Sequence, residues 1–185
     1  AIKALLTSTR TIALVGASDD TGKTGGRPLQ FLRRSGFTGR VYPINPNRKT
    51  VQGEQAWPSL AALPEVPEHV FVLSPTDTVL PTAQECARLG VAVMTVLASG
   101  FSESGPEGVE RERALAEVAR QSGLRVLGPS SLGVVNPSNG LVLTANAAFA
   151  EPDVPKGKVF VASHSGSMIG ALVSRGKARG VGFAG

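Results

Sequence analysis

Five short apolar runs with almost no polar alternation, at residues 11–15, 41–44, 70–73, 91–97 and 124–127, are separated by longer stretches. A strand wetted on one face alternates apolar with polar residues, whereas a strand covered on both faces reads as a continuous apolar run. Parallel neighbours need crossovers of a dozen or more residues, usually helices, and several of the intervening stretches have helical spacing. Leu29, Phe31 and Leu32 mark a short helix stopped at Gly36, with Pro28 suited to its first turn. After Asp77, a natural N-cap, Val79, Leu80, Ala83, Cys86 and Ala87 recur at helical spacing up to Gly90, and Pro81 falls in the first turn. Pro106 opens another helix, with Val109, Leu115, Val118 and Ala119 on one side and Gly123 behind it. The order predicts an α/β fold, a doubly wound parallel sheet over roughly residues 8–130.

Downstream, residues 137–157 carry Pro137, Gly140, Pro152, Pro155 and Gly157 with few periodic apolar residues, which reads as a linker. A strand is then expected at 159–162, a helix with Met168, Ile169, Leu172 and Val173 on its buried face ending at Gly180, and one more strand at 181–184. One strand and one helix cannot bury a core. The expected organisation is therefore a domain over 1–136, a linker over 137–156, and the start of a second, incomplete domain over 157–185 of a longer protein.

Composition narrows the function classes. The single cysteine, Cys86, excludes an intrachain disulfide, and His69 and His164 are too far apart in sequence to read as a metal-ligating pair. No apolar run approaches the ~18 residues of a membrane span and no leader opens the chain, so a cytoplasmic protein is expected. The net charge of +5 divides into 14 Lys/Arg against 12 Asp/Glu over 1–150, and 5 against 2 over 151–185. The cations are scattered among acids rather than gathered in a stripe, and aromatic residues make up only 5%, which argues against a nucleic-acid partner.

In such a sheet ligands bind beyond the carboxyl ends of the strands. The first of these loops, from Gly16 to Gly26, is rich in glycine, which lets a backbone approach a pyrophosphate. Residues 17–24 satisfy a relaxed P-loop pattern ending Gly22-Lys23-Thr24, but Gly25-Gly26-Arg27-Pro28 stands where the helix of a working P-loop begins. The second strand runs into Asn45-Pro46-Asn47-Arg48-Lys49, with two cations and no acid before Glu54. A nicotinamide dinucleotide site places an acid there for the ribose. The cations point instead to a ligand with an extra phosphate near its ribose, NADP or coenzyme A, or else to a solvated turn.

Val15-Gly16-Ala17-Ser18, Tyr42-Pro43-Ile44-Asn45-Pro46, Ser99-Gly100-Phe101 and Gly128-Pro129-Ser130-Ser131-Leu132-Gly133 follow in order, and together they resemble the CoA-binding domain of NDP-forming acyl-CoA synthetases, the superfamily of the succinyl-CoA synthetase α-subunit. The resemblance implies that Gly16, Ala17, Ser18, Lys23 and Gly25, with Asn45 and Pro46, hold coenzyme A. It implies that Arg48 or Lys49 meets a phosphate, and that Ser74, Pro75, Ser99, Gly100 and Phe101 line the adenine and pantetheine path. Ser163-His164-Ser165-Gly166 matches the family turn that faces a phosphohistidine, so Ser163, Ser165 and Gly166 are expected to bind phosphate. His164 has the wrong neighbours to be that histidine, and none of these residues is expected to be catalytic or to hold a metal. His69 and Cys86 read as ordinary core residues.

The activity implied is an acid–CoA ligase that makes acyl-CoA, ADP and phosphate from acid, CoA and ATP, by way of an acyl phosphate and a phosphohistidine. ATP and Mg would enter only through an ATP-grasp domain or subunit, and an oligomer is compatible. Residues 1–185 alone are expected to bind CoA without turnover. Two other readings stay open: a regulatory CoA-binding module and an NADP-dependent reductase, although Tyr42 is the only tyrosine and no donor pair accompanies it.

Overall fold

The β-branched and apolar runs become strands where they can be covered on both faces. In the computed structural model, which describes residues 7–151 and 153–185, the chain runs through β1 (Thr11–Val15), α1 (Arg27–Arg34), β2 (Arg40–Ile44), β3 (Thr50–Val51), β4 (Glu54–Gln55) and β5 (His69–Val72). It continues through α2 (Val79–Leu89), β6 (Val93–Val96), α3 (Pro106–Ser122), β7 (Arg125–Leu127), β8 (Gly133–Asn136), β9 (Leu141–Thr144), β10 (Lys156–Val159) and α4 (Gly166–Lys177). Residues 1–6 of the expected first domain and Pro152 of the expected linker lie outside the described residues. No described helix is long and apolar enough to cross a membrane.

The central sheet has the order β2-β1-β5-β6-β7, all parallel, as expected for a doubly wound, Rossmann-like domain. Ala13 pairs with Tyr42 on one side and with Val70 on the other. The chain leaves β1 for β2 in one direction and returns across β1 to reach β5 in the other. That reversal opens a crevice between the loops that follow β1 and β5.

Side chains alternate across the sheet. Ala13, Val70, Val72, Met94 and Val96 face α2 and α3, where Val79, Ala83, Cys86 and Leu115 cover them. Ile12, Leu14 and Phe71 face the other way, onto Leu29 and Leu32 of α1. An eight-residue helix is too short to roof that face. The cover is completed by Leu141 and Leu143 of β9, both fully buried.

Residues 137–157 therefore contain more than a linker. β8 and β9 pair antiparallel, and all four residues of β9 are buried. Four other expectations shift. Asp77 lies in a 3-10 turn, and α2 starts two residues later from Thr78, with no side-chain cap. Val109 is exposed because α3 presents Gly108 and Leu115 to the core instead. The strand expected at 159–162 forms earlier, as β10, and of 181–184 only Phe183 bridges to it. On α4 the buried residues are Gly170 and Val173, while Met168 and Leu172 stay exposed.

Gly108 sits where an added Cβ would overlap the carbonyl oxygen of Phe101. Gly108→Ala is expected to push α3 off the sheet and cost about 1–3 kcal/mol. The effect should be read as a lower urea midpoint at unchanged m-value.

Candidate functional site

The loop after β1 turns at Gly16, whose φ of +86° suits a residue without Cβ. A Cβ there would lie 2.8 Å from the backbone nitrogen of Ser74, so the loops after β1 and β5 touch backbone to backbone at the crevice floor. The Gly16 amide donates to the carbonyl of Ile44 at 3.0 Å, and the Asn45 side-chain amide donates to the carbonyl of Ala17 at 2.9 Å. The start of the loop is thereby fixed to the end of β2.

Further along, the loop folds on itself. Ser18 N–H donates to the Gly25 carbonyl at 3.1 Å, Asp20 N–H to Ser18 Oγ at 3.1 Å, and Gly22 N–H to Asp20 Oδ1 at 3.0 Å. Lys23 N–H donates to the Asp20 carbonyl at 3.1 Å, and the Lys23 ammonium pairs with Asp20 at 3.3 Å. In a P-loop these amides would hold phosphate; here they are spent within the loop, on Gly25, Ser18 and Asp20, and the helix begins at Arg27. The amides of Ala17, Asp19, Thr21, Thr24 and Gly25 have no hydrogen-bond partner among the described residues, and of these Ala17 is buried. The last four are the donors left for an anion, and Gly25 lies against the Gly16 carbonyl.

Arg48 does reach this loop, but not as an unpaired cation: its Nη1 lies 2.6 Å from Asp19 Oδ2. Lys49 is exposed and its ammonium pairs with no acid among the described residues, and Pro46 is exposed in the same turn. Sequence reasoning missed Gln52. Its side-chain amide donates to the carbonyls of Ser18 at 2.9 Å and Gly26 at 2.8 Å, and its backbone N–H donates to Asp19 Oδ1 at 2.6 Å. Gln52 and Gly53 have φ of +51° and +80° and form the two-residue turn between β3 and β4. Positive φ at both turn positions is the mark of a tight hairpin, and a Gln-Gly pair between two short runs was its available signal.

After β5, Ser74 Oγ and Thr78 Oγ1 lie 2.6 Å apart, and Thr78 Oγ1 donates to the carbonyl of Pro75 at 2.7 Å. Thr76 Oγ1 donates to the carbonyl of Ser99 at 2.6 Å, which brings the loops after β5 and β6 together. Gly100 N–H donates to Glu103 Oε1 at 2.6 Å, one of three backbone hydrogen bonds that hold this carboxyl below the usual range. Ser99 is exposed, but Phe101 is only 2% exposed and packs among the residues under α2 and α3. Phe101 braces the loop from below rather than lining a path above it.

The other expected site lies across the hairpin. Ser165 caps α4, its Oγ accepting from Met168 N–H at 3.3 Å, and Ser163 Oγ accepts from Ser165 N–H at 3.0 Å. A helix of 12 residues starts here at Gly166, which favours an anion near its first turn. Ser163, His164 and Gly166 line a cleft of about 390 Å³ together with Gly128 to Val135. Ser130 in that lining has φ of +56°. The two sites are connected. Arg27 donates to the carbonyls of Gly22 at 2.6 Å and Ala145 at 3.1 Å, and the side-chain amide of the next residue, Asn146, donates to the carbonyl of Gly166 at 2.9 Å.

His69 and Cys86 stand outside both sites. Burial pushes the Cys86 thiol up to about 12, which leaves no thiolate for chemistry. His69 is wholly buried, with Nε2 2.7 Å from Thr95 Oγ1, and burial lowers its pKa to about 3.

Comparison with known proteins bears on what this arrangement holds. The family model for the CoA binding domain matches residues 10–137. The chain is 34% identical over 174 residues to acetate–CoA ligase [ADP-forming] I of Archaeoglobus fulgidus, covering 94% of this chain and 24% of that protein. It is 33% identical over 174 residues to the acetate–CoA ligase [ADP-forming] II subunit alpha of Pyrococcus furiosus, covering 94% of this chain and 37% of the subunit. Among solved structures, the dinucleotide forming acetyl-coenzyme A synthetase 1 of Ca. Korarchaeum cryptofilum, in complex with phosphate and ADP, superposes with a TM-score of 0.89 at 33% identity, over 100% of this chain and 38% of that one. The chain thus spans between 24% and 38% of the length of these relatives.

Proposed function

The chain belongs to the CoA-binding domain family, and from that premise we propose that it is the coenzyme-holding part of an ADP-forming acid–CoA ligase. The observation that carries this reading is the contact of Gly16 with the backbone of Ser74 at the switch point of the sheet. It leaves a glycine floor in a loop with four unburied, unspent amides, those of Asp19, Thr21, Thr24 and Gly25, suited to a pyrophosphate. Asn45 and Gln52 hold the loop open in that shape. Arg48 and Lys49 stand at the end of β2, where the phosphorylated ribose of coenzyme A would lie. Ser163, Ser165 and Gly166 are the candidate receptors for a phosphoryl group at the start of α4.

In the proposed reaction, acid, CoA and ATP give acyl-CoA, ADP and phosphate through an acyl phosphate and a phosphohistidine. The sulfur of CoA attacks the acyl carbon and phosphate leaves. The part played by residues 1–185 is to bind and orient the coenzyme, and to offer the α4 turn to the phosphoryl group. ATP and Mg would be held by an ATP-grasp region or partner subunit, a division that the name of the Pyrococcus furiosus relative, a subunit alpha, supports.

Calorimetric titration with CoA, dephospho-CoA and NADPH tests the reading. CoA is expected to bind most tightly, dephospho-CoA more weakly, and NADPH least. Lys49→Ala should weaken CoA about three- to tenfold and leave dephospho-CoA unchanged, as loss of one exposed charge–phosphate contact would do. NADPH binding without CoA binding would overturn the proposal in favour of a reductase. Residues 1–185 should form no acyl-CoA from acid, CoA and Mg-ATP.

A further inference from the structure

The acid that a dinucleotide site keeps at the end of its second strand is missing from the residues after β2, yet the fold brings one there from another loop. Asp19, in the glycine loop, places Oδ2 2.6 Å from Arg48 Nη1, while its Oδ1 accepts from the backbone N–H of Gln52 at 2.6 Å. Gln52 is itself tied down, since its side-chain amide grips the carbonyls of Ser18 and Gly26 at 2.9 and 2.8 Å. The β3–β4 turn thus holds the loop at three points and fixes where the carboxylate stands. The Gln52 N–H anchors one oxygen of Asp19 while the other faces Arg48.

We propose that Asp19 is a specificity-determining residue of the coenzyme site: a fixed negative charge that competes with the ribose phosphate for Arg48 and so moderates the preference for the phosphorylated coenzyme. The inference rests on the coenzyme reading above. The Arg48 and Asp19 side chains are 55% and 43% exposed, and an ion pair of that kind is worth ~0–1 kcal/mol. A doubly charged phosphate, with three strong acceptor oxygens, therefore outcompetes the carboxylate for the guanidinium. A ligand without that phosphate leaves the pair closed. Once Arg48 has turned, the carboxylate still stands close by and repels the phosphate. The pair trims affinity for the phosphorylated ligand and so narrows its advantage over a ligand without the phosphate.

Asp19→Asn separates the charge from the scaffold, because the amide oxygen can still accept from Gln52. Calorimetry on residues 1–185 with CoA and dephospho-CoA should show CoA bound about three- to tenfold tighter by Asp19→Asn, with dephospho-CoA changed by less than about twofold. Arg48→Ala, at an exposed position, should erase the preference for CoA that Arg48 provides. Asp19→Asn added to Arg48→Ala should then bring a smaller gain than it does alone, the non-additivity of a shared interaction. If Asp19→Asn weakens both ligands alike, the carboxylate serves the ribose or the loop and the inference falls. If it changes neither while wild type binds CoA, the pair is an idle surface contact and the inference also falls. Wild type binding neither ligand would remove the coenzyme reading together with the inference.

Discussion

Gly16→Ala is expected to abolish measurable CoA binding, a loss of at least about a hundredfold, and to lower stability by about 2–4 kcal/mol. Two costs combine. At φ of +86° a residue with a Cβ incurs about 1–2 kcal/mol of backbone strain. The new methyl also meets the Ser74 backbone at 2.8 Å, and backbone cannot step aside as the end of a flexible side chain can. Relief comes only by parting the loops after β1 and β5, which destroys the crevice floor. Gly36→Ala is the control: its φ is +75°, but a Cβ there meets nothing within 4 Å. It should cost about 1 kcal/mol from strain alone and leave CoA binding intact. Chemical denaturation and calorimetry on both variants separate strain from loss of the site. Equal CoA binding by Gly16→Ala and wild type would show that the ligand does not use this floor.

The second large effect is on pH. His69 is wholly buried on β5, with Nδ1 lacking a hydrogen-bond partner among the described residues and its pKa lowered by burial from 6.5 to about 3. Between those values the unfolded chain binds the proton and the folded chain does not. Stability is therefore full above pH 6.5 and falls with pH below it, by about 1.4 kcal/mol per pH unit. From pH 6.5 to 5 the expected loss is roughly 2 kcal/mol, a large share of the ~5–15 kcal/mol typical of a domain. Glu65, Glu103 and Glu117 are lowered from 4.5 by their hydrogen-bond donors, so their contributions are lost only at more acid pH. His69→Gln, which can keep a hydrogen bond to Thr95 but does not titrate, should flatten the profile between pH 6.5 and 5. A wild-type profile already flat over that range would mean that the imidazole gains water or a partner on protonation.

Much of this was legible in the sequence, and the reasons differ by element. The runs at 11–15 and 70–73 could be read because a strand buried on both faces has no polar residue to spare. The ends of α2 and α3 could be read because Gly90 and Gly123 adopt the left-handed conformation that glycine favours. β9 was hidden. It is a four-residue run between Asn139-Gly140 and Asn146, and its burial depends on α1 being too short to cover the sheet, a fact of packing rather than of pattern. In the site, Gly16, Asn45 and Ser74 converge where the strand order implies, but motif position did not reveal that Phe101 points into the core. Arg48 was visible as a cation, while its partner Asp19 lies 29 residues away. No local signal joins the two; the Gln52-Gly53 turn that brings them together does.

The hairpin has a consequence for how proteins of this kind can be rearranged. Leu141 and Leu143 belong to the core of the parallel sheet, whereas Val142, between them, packs with Phe149, Val173 and Phe183. One strand is thus a party wall, finished on both sides. Recombination that joined the first unit to a new neighbour could not cut within the β8–β9 hairpin, residues 133–144, without stripping cover from one side or the other. An inherited seam falls on either flank of the hairpin, and a new neighbour must bring its own match for Val142.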